Sequence, residues 1–100
     1  MRLRILDVAR DDLHAHIDYL LENASQETAE AFEARFIHIA QLLLLHPLMG
    51  TSRDNLSPGM RSFSINERTL LFYRILPDDN EPILEIVRVL GARQNLDDLF

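Results

Sequence analysis

Residues 2–6, Arg-Leu-Arg-Ile-Leu, alternate polar and apolar side chains, the period of a half-buried strand. The period then lengthens. From about Asp7 to Asn23, Leu13, Ile17, Leu20 and Leu21 recur at steps of four, three and one, which places an apolar stripe along one side of a helix whose start Asp7 is positioned to cap. Ser25 opens a second helix, in which Ala29, Phe32, Phe36, Ile39 and Leu43 repeat at steps of three and four. It should end near His46, because Pro47 disfavours helical geometry at the residue before it. So short a connection implies an antiparallel helical hairpin. Glu27, Glu30 and Glu33 lie off the stripe and belong to a solvated face.

Residues 47–60 collect proline, glycine, serine and asparagine, which punctuate a loop. After them the period changes to two. Arg61–Ile65, Thr69–Leu76 and Ile83–Leu90 read as three strands whose short turns make them antiparallel neighbours. Gly91 ends the last strand, and Arg93 to Phe100 has room for a terminal helical turn. The order β-α-α-β-β-β predicts a single α+β domain over residues 1–100, with the helical hairpin packed on one face of a mainly antiparallel sheet of about four strands.

Composition narrows the chemistry. The chain has 100 residues, 47% of them hydrophobic, enough for one core without staples, and no cysteine to form a disulfide. Its amino terminus lacks the apolar stretch of a signal peptide, and no apolar run reaches the roughly 20 residues needed to span a bilayer, so a soluble cytoplasmic protein is expected. Net charge is −6, and all ten basic residues are arginine. Lysine-dependent chemistry is thereby excluded, and an acidic chain is a poor general binder of phosphate backbones.

Three glycines, Gly50, Gly59 and Gly91, cannot build a P-loop or a dinucleotide fingerprint. No cofactor is expected. His14 and His16 are separated by about 200° around a helix, so they point apart and make no metal site; both are expected at the surface. Asp11 and Asp12 also diverge, and suit the positive end of a helix dipole better than paired acid–base work. What remains is a set of strand arginines. Alternation places Arg74 with Leu70, Phe72 and Leu76, and Arg88 with Leu84, Ile86 and Leu90, so that Arg61, Arg74 and Arg88 could form a row across one face. Such a row is open to a carboxylate or phosphate partner, or is paired internally with Glu85, Glu67 or other acids, since an unpaired buried arginine is too costly to keep.

The stretch containing Ala9, Asp12-Leu13, Ile17 and Tyr19-Leu20 resembles the opening helix of ParE-like toxins. Leu45-x-Pro47-x-x-Gly50, Leu56-x-x-Gly59-x-Arg61, Leu71-Phe-Tyr-Arg-Ile75 and Ile86-x-Arg88-Val-Leu-Gly-Ala-Arg93 follow the order of the ParE/RelE superfamily over nearly the whole chain. The resemblance implies a toxin of a type II toxin–antitoxin system, wrapped and neutralised by a ParD-like or related antitoxin. ParE proteins poison DNA gyrase, whereas RelE-like relatives cleave messenger RNA on the ribosome with basic clusters and a late tyrosine or histidine. Here no lysine exists, no histidine follows His46 and the last tyrosine is Tyr73, so Arg61 and Arg88 form an incomplete nuclease site. A gyrase inhibitor is expected; an mRNA endoribonuclease and a non-toxic co-repressor are the alternatives. Arg61, Arg74 and Arg88, with Arg93, Leu96, Leu99 and Phe100 of the tail, are the expected antitoxin- or target-binding residues.

Overall fold

A computed structural model describes residues 1–100. Strand β1 (Arg2–Ile5) leads directly into helix α1 (Asp7–Asn23), followed by α2 (Gln26–Leu45), β2 (Thr51–Ser52), β3 (Arg61–Asn66), β4 (Thr69–Leu76), β5 (Ile83–Gly91) and a short 3-10 turn (Leu96–Asp98). The α+β class and the helical hairpin follow the sequence closely. Two features differ: the sheet has five strands in the order β1-β5-β4-β3-β2, and β1 lies parallel to β5. The fifth strand is the two-residue β2 inside the expected loop, where Thr51 and Ser52 oppose Ser62 and Arg61.

The ends of the helices have separate causes. At α2 the Ser25 side chain accepts the Thr28 N–H at 3.1 Å, a standard N-cap. Asp7 does not cap α1, whose N-cap is Leu6 without a side-chain bond. Leu6 is still tied to the sheet through its N–H to Ile86 O at 3.0 Å, so strand passes into helix with no cap residue between. Asp7 instead lies in the first turn, where its charge suits the dipole.

Two apolar clusters hold the sheet. Phe32, Phe36, Ile39 and Leu43 of α2 and Ala9 of α1 pack on Ile65, Leu71, Tyr73, Leu84, Ile86 and Val89. On the other face Met60, Phe72 and Leu90 gather Leu56, Leu70, Val87, Leu96 and Leu99. Leu71, Phe72 and Tyr73 are therefore fully buried in succession, because β4 is covered on both faces there.

Tyr73 also fixes the loop after α2. Its hydroxyl donates to Pro47 O at 2.8 Å and accepts the Gly50 N–H at 2.9 Å. Burial pushes this phenol above its ordinary value of 10.0, against smaller lowering by the Gly50 N–H and Arg61. A raised folded-state value means that the neutral form is favoured in the fold. That contribution is complete below pH 10 and is lost as pH rises through the higher folded-state value. Urea midpoints measured above pH 10 should thus fall more steeply in the native chain than in Tyr73→Phe; parallel curves would contradict this.

Candidate functional site

Strand β5 is flanked by β1 only from Ile83 to Ile86. Beyond that point helix α1 supplies the partners that a strand would give. The Val89 N–H donates to Asp12 Oδ2 at 3.0 Å, and Val89 O lies 3.3 Å from His16 Nε2. A carbonyl only accepts, so Nε2 carries the proton. Asp12 and His16 stand four residues apart, hence one above the other on a helix face.

The Asp12 carboxylate is engaged a second time, by Arg88: Nε reaches Oδ2 at 2.8 Å and Nη2 reaches Oδ1 at 3.0 Å. This is a bidentate pair, the strong form of the interaction. It is largely withdrawn from water, with side-chain exposures of 20% for Arg88 and 14% for Asp12. Hydrogen bonding to the Asp12 carboxylate holds the guanidinium above its ordinary value, so Arg88 is a permanent cation.

A β-bulge brings Arg88 to this position. Phe72 opposes Arg88 and Tyr73 opposes Ile86, which leaves Val87 as the extra residue. Alternation is shifted past it. Leu84, Ile86 and Val89 face the helices, whereas Val87 and Leu90 join the opposite cluster.

Around the pair opens a cleft of about 440 Å³, lined by Asp12, Ala15, His16, Tyr19, Arg88, Gly91 and Gln94 among others. The His16 ring rests against Phe32, with centroids 5.8 Å apart. His14 is at the surface, whereas His16 is half-buried because it serves the Val89 carbonyl. Tyr19 remains 63% exposed. Sequence reasoning missed Asp12 as the partner of Arg88, and His16 and Tyr19 as its neighbours in the cleft. Their steps of four and three share one helix face, and that was the available signal.

The row of Arg61, Arg74 and Arg88 does not form. Arg61, on the helix side with Phe63 and Ile65, donates from Nη1 to Gly50 O at 2.8 Å and to Leu48 O at 3.3 Å. Arg74 faces the other way. Its Nε and Nη2 meet Glu85 Oε1 at 3.0 and 2.9 Å, while Arg4 Nε meets Oε2 at 2.9 Å. Internal pairing is therefore the outcome for both, Arg74 with Glu85 and Arg88 with Asp12.

The apolar tail residues pack in part on the sheet. Leu96 and Leu99 lie against the Met60–Phe72–Leu90 cluster, and the Phe100 ring is tilted at 57° to that of Phe72 with centroids 5.0 Å apart. Arg93 is exposed and makes no bond through its side chain.

No three His, Asp or Glu side chains are arranged to hold a metal ion, and no helix is long and apolar enough to cross a membrane. No curated protein sequence matches the chain. Among solved structures it is similar to the YoeB/ParE toxin from Agrobacterium tumefaciens, at 15% identity and a TM-score of 0.65, over 92% of this chain and 99% of that one. Identity so low makes that a likeness of fold. A family model, that of the ParE toxin of the type II toxin–antitoxin system parDE, matches residues 3–96 and so takes in the sheet, both helices and the cleft. The chain belongs to the ParE toxin family of type II toxin–antitoxin systems.

Proposed function

We propose that the chain acts in the cytoplasm as a non-catalytic inhibitor of DNA gyrase, and that a cognate ParD-like antitoxin holds it inactive. The observation that carries this reading is the closure of Arg88 by Asp12. Nuclease chemistry needs a guanidinium free to meet developing phosphate charge, together with a positioned proton carrier. Here one edge of the cation, its Nε and Nη2, is spent on a carboxylate whose own charge opposes phosphate. Lysine, which might replace it, is absent from the chain.

Antitoxin binding draws support from apolar residues left in water. Ile37 and Leu45 on the outer face of α2, followed by Leu48, are 49%, 74% and 69% exposed. Large apolar side chains in water gain free energy when a partner covers them.

One observation favours the ribonuclease alternative. His16 and Tyr19 line the cleft beside Arg88, so the lack of a late histidine or tyrosine does not leave that arginine without a proton carrier. Pulse labelling after induction separates the two readings. DNA synthesis should stop first, with protein synthesis following later and both restored by the antitoxin. An immediate halt of protein synthesis, with codon-specific mRNA cuts lost in His16→Ala, supports the ribonuclease instead. A culture that keeps growing points to the co-repressor.

A further inference from the structure

Seven of the ten arginine side chains bond a carboxylate, a hydroxyl or a backbone carbonyl, and three, those of Arg10, Arg68 and Arg93, bond nothing. Two of those three meet. Arg68, in the turn between β3 and β4, and Arg93, just past β5, line one hollow of about 380 Å³ together with Gly91 and Gln94. Their backbones are tied by the Ala92 N–H to Arg68 O bond of 2.8 Å, and the Gln94 side chain folds back onto the Gly91 N–H at 2.7 Å. No acid borders the hollow, although the chain carries 16. Two guanidinium groups on one concavity repel each other until an anion sits between them, and a planar fork suits a carboxylate.

The surroundings choose among anions. Gly91 and Gln94 also line the Asp12–Arg88 cleft, so the hollow opens onto Ala15 and the exposed ring of Tyr19. A ligand with one negative group beside an apolar one fits this layout. A phosphate strand fits poorly, because its next charges would meet Asp12 and a protein of net charge −6.

We propose that Arg68 and Arg93 form a two-arginine clamp that receives one carboxylate side chain of the antitoxin, with the apolar neighbour of that acid lying on Tyr19. The clamp rests on the reading that an antitoxin neutralises this chain. Because neither guanidinium has a partner in the free protein, removing both leaves the fold untouched.

The test is calorimetric titration of the toxin with the antitoxin encoded beside its gene, at low and at high salt. The Arg68→Gln/Arg93→Gln double variant should bind at least about tenfold more weakly, with a shallower salt dependence and an unchanged unfolding midpoint. Arg10→Gln, a third unpartnered arginine outside the hollow, should bind as the native chain does. Equal affinity of the double variant and the native chain overturns the clamp while leaving antitoxin binding intact. Failure of the native chain to bind the antitoxin overturns the functional reading beneath it. A single-stranded oligonucleotide that binds the native chain and not the double variant overturns the carboxylate assignment, and a lowered midpoint in the double variant overturns the claim that these side chains are unpartnered.

Discussion

Arg88→Ala should lower the unfolding free energy by about 2–4 kcal/mol, because it strands the Asp12 carboxylate in a site with little water. For a chain of this size that moves the thermal midpoint by roughly 10 °C or more. The side chains of the pair are 20% and 14% exposed, so solvent screens part of the interaction and the upper end of the range for buried pairs is not reached. Asp12→Ala should cost at least as much, since it also leaves the Val89 N–H without its acceptor. The two losses should not add. With both side chains gone no charge is left stranded, and the double variant should be more stable than the sum of the single losses implies. Chemical denaturation of the four proteins checks this, and independent, additive effects would contradict the pair as described. A loss of toxicity or antitoxin affinity in Arg88→Ala thus reports the pair first and a contact surface second.

The other large effect is expected at Gly50. A Cβ there would stand 2.5 Å from the Tyr73 hydroxyl, 2.7 Å from Tyr73 Cε1 and 2.8 Å from the Ser62 carbonyl. None of these is the free end of a flexible side chain: Tyr73 is fully buried and Ser62 contributes backbone. Gly50→Ala must push the loop off the sheet, breaking the bond between the Gly50 N–H and the Tyr73 hydroxyl and disturbing the one from Arg61 to Gly50 O. A loss of about 2–4 kcal/mol follows from overpacking and stranded polar groups together. Tyr73→Phe alone removes only the two hydroxyl bonds and should cost about 1–3 kcal/mol. Combining them relieves the 2.5 Å contact and leaves the others, so the pair should lose less than the sum. Urea midpoints within experimental error of the native chain for Gly50→Ala would show that the loop does not sit as described.

Local signals carried most of the elements. Ser25 caps α2, Pro47 follows its end, and Gly91 closes β5, each for a backbone reason that can be read one residue at a time. Long-range facts were not encoded that way. The parallel placement of β1 beside β5 depends on where the helical hairpin returns the chain, and β2 is held by pairing with β3 rather than by its own pattern. Counting alternation through β5 assumed an unbroken ladder and missed the bulge at Val87, and no pattern within the strand shows that α1 brings the Asp12 carboxylate to Arg88. His16 and Tyr19 escaped notice because a histidine or tyrosine was sought after the last strand, whereas helix α1 brings both to the cleft from the beginning of the chain.

Purified gyrase gives the most direct test of the proposed activity. Added to gyrase, ATP and relaxed plasmid, the native chain should block supercoiling and accumulate cleaved, protein-linked DNA, and prior addition of the antitoxin should prevent both. Gyrase that supercoils at its normal rate in excess toxin, while the same preparation cuts messenger RNA on translating ribosomes, would contradict it.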